Sequence, residues 1–559
     1  MIEEIGIKHF KGIKHVERLK IKPISLFCGK NSSGKTSILE SILLIKQSSE
    51  KNQSFNELIL NGKYVRLGAF KDISWKNHTE GEISFTFKLR KEKDIKNKKV
   101  TSSKIELKFK RKDSSTLFDD VMLNQMILKV MKKGQKHKIL SIDKSNPKTQ
   151  ILTWDLSEDF DLEISTHQGK IDYQEDSEGK FFGIIHKFEN TIIFTRPVSL
   201  KIEDQQFYKI TQKKNHPLIK IKEKIKSLIE NFPNIEVEKK KNTLEELKNI
   251  LKERKVRRIG YFLNEYEDMD LNKRFDKDTI KLFDNIIEEI ERELVQDINS
   301  FHREISLKLR TLAEEMDKIS FIGPLREEPS LRYTCEEQKL EIGNRGENAP
   351  LIFESEKKLI VEEFFLMEQG KYKKLKNKPS SEIWNLWSKY FKFGKLKSTP
   401  TSDSMFRFKI NEHNLKHVGF GISQVFPILI EGVRIEKGNT LILEQPEIHL
   451  HPDLQMRLAD FFISMGISGR NTIIETHSEH IINRIVRRVV EDNDHNLKEL
   501  IGVYFVNMGK NGLEIEEIII DKKGIINWPK GFFDEAMKEQ SAILRKLREN
   551  QTLGEKQDD

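Results

Sequence analysis

Residues 29–36 read Gly-Lys-Asn-Ser-Ser-Gly-Lys-Thr, a complete G-x-x-x-x-G-K-T set between an apolar run (Pro23-Ile24-Ser25-Leu26-Phe27) and a helix-like one. No other feature restricts the fold so strongly, because the motif demands a strand, a tight loop and a helix in that order. The spacing agrees: Ile38, Leu39, Ile42, Leu43 and Ile45 recur on one helical face. Two shorter strands are expected ahead of it, one with Ile5, Ile7 and Phe10, the other with Val16 and Leu19. In such a loop Gly29 and Gly34 let backbone N–H groups of Asn31, Ser32, Ser33 and Ser37 wrap phosphates, and the helix dipole favours the anion. Lys35 would reach the β and γ phosphates and the Thr36 hydroxyl would ligate Mg²⁺, so ATP and Mg²⁺ are the implied cofactors. A chance glycine–serine turn is the structural alternative, and the strand–loop–helix setting speaks against it.

Three further segments fit the same chemistry. Four hundred residues on, Thr440-Leu441-Ile442-Leu443-Glu444-Gln445-Pro446-Glu447 is an apolar strand ending in acids, as a Walker B segment does. Glu444 at its tip is the expected magnesium carboxylate; a core strand with a solvated acidic turn is the alternative. Val418-Gly419-Phe420-Gly421-Ile422-Ser423-Gln424 precedes an apolar helix, so Gly419, Gly421, Ser423 and Gln424 form a helix start able to face an anion, with a plain N-cap serine as the simpler reading. Ile473-Ile474-Glu475-Thr476-His477-Ser478 ends a strand with His477 where an α/β sheet presents ligands.

The pattern between these anchors gives the organisation. Residues 1–110 are read as the N-terminal half of an α/β head, 111–216 as a β-rich insertion and 217–318 as a helical arm. Residues 319–400 are a connecting α/β segment, 401–520 the C-terminal half of the head and 521–559 a helical tail. Tyr64-Val65-Arg66-Leu67 reads as a strand, and Ile83-Ser84-Phe85-Thr86-Phe87 and Ile105-Glu106-Leu107-Lys108-Phe109 alternate as half-buried antiparallel strands do; the Lys-rich 88–99 reads as a hairpin tip. In the arm, Leu282, Ile286, Ile290, Leu294, Ile298, Phe301, Ile305, Leu309 and Leu312 recur every three or four positions. A helix of roughly 35 residues would span ~50 Å, without the sustained heptads of a long coiled-coil rod. Trp384, Trp387, Tyr390 and Phe391 mark another helix.

Composition narrows the class. Apolar residues at 37% and charged ones at 33% exclude disordered, collagen-like and mucin-like chains. No run approaches the ~18 apolar residues of a membrane helix, and the acidic Met1-Ile2-Glu3-Glu4 is no secretory signal, so a cytoplasmic protein without a membrane partner is expected. Two cysteines, Cys28 and Cys335, argue against a disulfide framework or a structural zinc. A formal charge of +10 permits contact with an anionic polymer without demanding it. The basic groups 91–99, Arg254-Lys255-Val256-Arg257-Arg258 and 484–488 are the candidate nucleic-acid contacts, or else solvated faces.

The four motifs in this order, with about 380 residues between the phosphate loop and the Ser423 segment, resemble the ABC-class ATPases of the SMC and OLD-like group. That resemblance, over roughly 1–110 and 400–520, implies a head with a mixed central sheet and an antiparallel β subdomain, built from both ends of the chain. It implies that Gly419–Gln424 is the signature segment closing on ATP held by a second head, that His449-Leu450-His451-Pro452 is the D-loop, and that His477 senses the γ-phosphate. More narrowly, Glu-Gln-Pro-Glu-Ile-His-Leu-His-Pro, Glu-Thr-His-Ser-Glu-His and Trp528-Pro529-Lys530-Gly531-Phe532-Phe533 resemble bacterial AAA/ABC-type predicted ATPases, some from anti-phage defence operons.

One position departs from that group, whose strand commonly ends Asp-Glu-Pro. Here Glu444 takes the magnesium position and the neutral Gln445 takes that of the water-polarising acid, so slow hydrolysis is expected, with Glu447 or Glu444 as the fallback base. The resemblance implies a homodimer or other even-numbered assembly and a separate effector, a nuclease or toxin, since no clustered Toprim acids follow His477. A RecF- or SMC-like repair ATPase acting directly on DNA is the alternative, and a module that binds ATP without hydrolysing it is a third. His449-x-His451 lacks a nearby third metal ligand. Gly323-Pro324-Leu325-Arg326 reads as a structural turn, with Arg326 approaching the nucleotide as the other option.

Overall fold

The computed structural model describes residues 2–51, 55–77, 81–93, 100–111, 121–132, 138–146, 149–157, 160–167, 172–175, 181–184, 192–194, 207–212, 307–334, 340–402, 404–520, 539 and 541–546. Most of the expected arm, Cys335, Arg254–Arg258 and Trp528–Phe533 lie outside them.

The chain ends meet in a six-stranded sheet. Its order is Ile319–Ile322, Thr440–Glu444, Asn471–Glu475, Ile24–Cys28, Ile501–Gly509, Gly512–Ile518. The first five strands are parallel and the last is antiparallel. The phosphate-loop strand Ile24–Cys28 is therefore flanked on both sides by strands from beyond residue 470. That is the convergence of distant segments which the motif order implied.

Both faces of the sheet's inner strands are covered, so those strands are largely apolar, and the period-2 alternation divides their apolar residues between two cores. Phe27, Ile442 and Ile473 face one core together with the helix Lys35–Lys51. Ile24, Leu26, Leu441, Leu443 and Ile474 face the other, against the helices Phe420–Arg434, Pro452–Ile467 and Glu479–Glu491. Glu475, two residues beyond Ile473, is thereby directed to the phosphate-loop face.

Beside it, a ten-stranded antiparallel sheet begins with Ile2–Phe10 and Ile13–Lys20 and continues through Glu82–Lys93, Val100–Arg111, Val121–Lys132 and further strands to Phe207–Gln212. Ile83, Phe85, Phe87, Ile105, Leu107 and Phe109 are fully buried and share the phosphate-loop helix's core. The mixed α/β head expected from the sequence, a central sheet with an antiparallel β subdomain, is thus observed. The antiparallel sheet runs across residue 110 without a break, because Val100–Arg111 pairs directly with Val121–Lys132. Ile319–Ile322, in the segment read as a connection, is itself a strand of the central sheet.

Residues 64–67 do not form the expected strand and contribute only an isolated bridge, Arg66 with Asn61. Gly62 N–H donates to Val65 O at 2.9 Å. The Gln47 side chain accepts from the backbone N–H groups of Tyr64 and Val65, which takes up donors a strand ladder would use. Ser380–Tyr390 is the expected aromatic helix, with Trp384 and Trp387 fully buried and their indole N–H groups donating to Ile430 O and Phe365 O. Among the described residues no helix is long and apolar enough to cross a membrane.

Candidate functional site

Local sterics explain the loop. Gly29 has φ +144°, and a Cβ there would stand 2.2 Å from Val506 O; Gly34 has φ +93°, where a Cβ would meet Leu513 at 2.5 Å. A side chain at Gly29 would run into the backbone of the neighbouring strand, and one at Gly34 would press on the Leu513 side chain from a strained left-handed φ. Asn31 and Ser32 are exposed at the loop's tip, Ser33 is buried, and Ser37 N–H donates to Gly34 O as the helix begins. Lys35 folds back into the loop, its Nζ donating to Lys30 O (2.6 Å), Gly29 O (3.1 Å) and Ser33 Oγ (3.3 Å). Burial lowers its pKa, with Glu475, Cys28 and Glu447 opposing the shift. The ammonium thus rests on carbonyls in a loop built to take anionic oxygens.

The strand ends complete the site from three sides. Thr36 Oγ1 donates to Glu475 Oε1 at 3.0 Å. Glu475 stands in register with Glu444 on the adjacent parallel strand. Burial, then Glu475 and Glu40, raise the Glu444 pKa to about 7, against the lowering pull of Arg326 and Lys11. Gln445 takes φ +43° and gives its backbone N–H to Glu475 O. Glu447 accepts from His477 N–H (2.6 Å) and from Thr476 Oγ1 (2.9 Å), so both its oxygens hold the turn that carries His477. The imidazole lies by the Gly29 backbone, and burial followed by the Lys35 charge lowers its pKa, which leaves it neutral near pH 7.

Arg326 follows the structural option for its turn, yet at the site's edge. Its guanidinium is 3% exposed and caps the carbonyls of Pro324, Glu444 and Gln445 at 2.9–3.1 Å. It fixes the backbone from which the Glu444 and Gln445 side chains project. Burial draws its pKa down to about 10, still fully charged at neutral pH.

The signature segment lies elsewhere. Gly419 caps the helix Phe420–Arg434 with open space where a Cβ would be, and Phe420 is 51% exposed. The Phe420 ring meets the His449 ring edge-on at 4.9 Å, and Gly421 packs on His449 O and Leu450. Ser423 is buried with its hydroxyl donating to Phe420 O, and Gln424 is buried as well. The structure therefore joins signature and D-loop segments into one exposed corner, and joins Lys35, Thr36, Glu444, Glu447 and His477 into another. His451 Nδ1 caps the helix Pro452–Ile467 by accepting from Asp453 N–H, a capping duty in place of a metal one. The basic group 484–488 is engaged internally: Arg484 and Arg488 bind Asp460, and Arg487 binds Glu491.

Sequence reasoning missed Glu475. The available signal was a carboxylate directly after the apolar pair Ile473-Ile474, closing the strand Asn471–Glu475, every residue of which is buried. For a divalent cation accompanying ATP, the Thr36 hydroxyl and the Glu444 and Glu475 carboxylates could supply donors, all of them oxygens of the kind magnesium prefers. The buried Glu475 Oε2, which has no hydrogen-bond partner, fits that use.

Fold and site together define a P-loop ATPase. The chain belongs to the family described as AAA ATPase domain, which matches residues 1–482; a second family, described as a protein of unknown function, DUF3696, matches residues 498–542. An uncharacterized protein of Methanocaldococcus jannaschii, MJECL10, is 33% identical over 91 residues, which are 16% of this chain and 42% of that relative's length. Among solved structures, an Smc head domain with an extended coiled coil bound to the C-terminal domain of ScpA, from Pyrococcus furiosus, is similar at TM-score 0.30 and 10% identity over 98% of this chain and 99% of the other. An SmcHead bound to the C-winged helix domain of ScpA has TM-score 0.36 and 8% identity, over 93% and 99%.

Proposed function

We propose that the protein binds Mg-ATP and hydrolyses it slowly, with two copies closing their heads on the nucleotide. The reading is carried by one observation: Lys35, Thr36, Glu444 and His477, drawn from positions four hundred residues apart, converge at the end of one sheet. Lys35 and the loop N–H groups of Asn31–Ser37 hold the phosphates, while Thr36 and Glu444 hold magnesium. A magnesium ion held there would supply positive charge to offset that of the phosphates.

Slow turnover follows from side-chain chemistry. Gln445 can orient a water but cannot take its proton, and Glu447 is committed to the His477 turn. That leaves Glu444, whose carboxylate is already assigned to magnesium, as the fallback base, in keeping with slow turnover. Head pairing is supported by the exposed corner of Gly419, Phe420 and His449, a helix start able to face an anion brought by a second copy. The resemblance of the motifs supports a wider role as the sensor or scaffold ATPase of a prokaryotic anti-phage system controlling a separate effector, with sequence analogy as its warrant.

Equilibrium binding of a fluorescent ATP analogue tests the core of the reading. Lys35→Ala is expected to weaken binding by on the order of 10- to 100-fold, the loss that follows removal of a charge-assisted hydrogen-bond donor. Light scattering with and without ATP is expected to report a nucleotide-dependent doubling of mass that Phe420→Asp prevents. Unchanged affinity in Lys35→Ala would sink the assignment, and fast multiple-turnover phosphate release by the wild type would sink the slow-hydrolysis part.

A further inference from the structure

The nucleotide site contains one carboxylate more than its loop and its acidic strand supply. Glu475 is 2% exposed; its Oε1 accepts the Thr36 hydroxyl, and its Oε2 is buried with no hydrogen-bond partner. Its in-register neighbour on the adjoining parallel strand is Glu444, so two half-buried or buried carboxylates begin from backbones about 4.8 Å apart. Two such groups side by side are costly in a protein interior, and the charges of Lys35, Arg326 and Lys11 offset that cost only in part.

The bonds of the nearby protein cations go to other groups, and the buried Arg326 Nε has no hydrogen-bond partner. Lys35 donates to Gly29 O, Lys30 O and Ser33 Oγ. The Arg326 Nη atoms donate to the carbonyls of Pro324, Glu444 and Gln445, and Lys11 pairs with Glu40. None of these bonds reaches Glu475 Oε2. Its bonded partner, moreover, is the very hydroxyl that a phosphate-loop threonine offers to a metal.

The position also answers a charge deficit. Gln445 is neutral, and its backbone N–H bonds to Glu475 O, so the two residues are direct neighbours across the strand pair. The number of carboxylates at the strand ends stays at two because the neighbouring strand contributes the second. We propose that Glu475 is a second carboxylate of the magnesium site, placed by the His477 strand in compensation for the uncharged Gln445. The assignment rests on the nucleotide reading above and extends it to a residue outside the phosphate loop and the Walker B segment. An ordinary hydrogen-bond acceptor, holding only the Thr36 rotamer, would need neither a buried second oxygen nor alignment with Glu444.

Glu475→Gln separates these roles, since the amide keeps the volume and can still accept from Thr36. Binding of a fluorescent ATP analogue to the full chain would be measured in EDTA and across a magnesium series. In EDTA the variant is expected to match or exceed the wild type, because a negative charge near the phosphates has gone. The magnesium concentration giving half of the affinity gain is expected to rise at least ~10-fold, as when a group supporting a metal ligand is removed. Depletion of the free Mn²⁺ electron paramagnetic resonance signal by protein and ADP should weaken by a similar factor.

A half-effect magnesium concentration within about twofold of the wild type, well short of a metal-site loss, would overturn the assignment. So would an equal loss of affinity in EDTA and in magnesium, which marks a purely structural role in the loop. If wild-type protein bound the analogue under neither condition, the nucleotide reading itself would fall. That outcome is distinct, because the variant comparison is interpretable only where the wild type binds.

Discussion

Two buried carboxylate clusters lie on opposite faces of one sheet and are treated in opposite ways. On the face of the phosphate-loop helix, Glu444 and Glu475 stand side by side with no arginine or lysine bonded to Glu475 Oε2. On the other face Asp460, 0% exposed, is surrounded: Arg488 Nε binds Oδ1 at 2.6 Å, Arg484 Nε binds Oδ2 at 3.0 Å and Tyr390 donates its hydroxyl to Oδ2. The Tyr372 hydroxyl lies at 3.5 Å. A saturated cluster of this kind fixes the relative placement of the helices Pro452–Ile467, Ser380–Tyr390 and Glu479–Glu491. An undersaturated one has capacity left for a ligand.

Breaking the saturated cluster should therefore produce the largest effect on stability. Asp460→Ala leaves two guanidiniums and two tyrosine hydroxyls facing a void, and removal of one member of a buried ion network costs about 3–5 kcal/mol. Denaturant unfolding of the apo protein reads this directly. A loss below about 1 kcal/mol, the worth of a surface pair, would mean that the cluster does not organise these helices.

The undersaturated cluster should respond with the opposite sign. The folded-state pKa of Glu444 is raised to about 7, above the ~4.3 of an unfolded glutamate. Between those values the folded state binds more protons than the unfolded one, so stability falls as pH rises through that window and levels off above it. Burial is the main cause, followed by Glu475 and Glu40, with Arg326 and Lys11 opposing. In EDTA, Glu444→Gln is expected to flatten the decline of melting temperature between about pH 4.3 and 7 and to leave the protein more stable than wild type at pH 8. A melting profile with the same slope in both proteins would place the strain elsewhere.

The contrast also explains what could be read in the sequence. The phosphate loop, the Glu444 strand and the His477 strand were legible because their chemistry is local: each depends on residue types within a span of eight. The two-sided burial of the central strands was legible as continuous apolar runs. Glu475 was overlooked because its role arises from strand pairing, which brings it to Glu444 and Thr36 across 31 and 439 residues of chain. The hairpin Ile360–Glu368 with Lys371–Pro379 escaped notice for another reason. Its second strand, Lys-Tyr-Lys-Lys-Leu-Lys-Asn-Lys-Pro, is mostly exposed and lacks the alternation that marks a half-buried strand. Within the basic run 484–488, the pairing of Arg484 and Arg488 with Asp460, 24 residues before Arg484, was likewise invisible in the sequence, while Arg487 stays exposed.

The helix Glu479–Glu491 joins the two clusters, beginning at the turn that carries His477 and inserting Arg484 and Arg488 into the Asp460 network. Its first turn depends on Ser478, whose Oγ accepts from Ile481 N–H at 3.0 Å and donates to Gln455 Oε1 on the helix Pro452–Ile467. Ser478→Ala removes both bonds and should cost about 1 kcal/mol, the usual worth of an N-cap. This is the smallest of the expected changes, but its location is the informative part. If the helix conveys the state of the His477 turn to the saturated cluster, hydrogen exchange should quicken at Ile481 and Ile482 while Val489, anchored beyond Arg488, keeps its protection. Uniform acceleration along the helix would mean that the Asp460 network does not hold its far end independently, and the division between a rigid cluster and a receptive one would lose its structural basis.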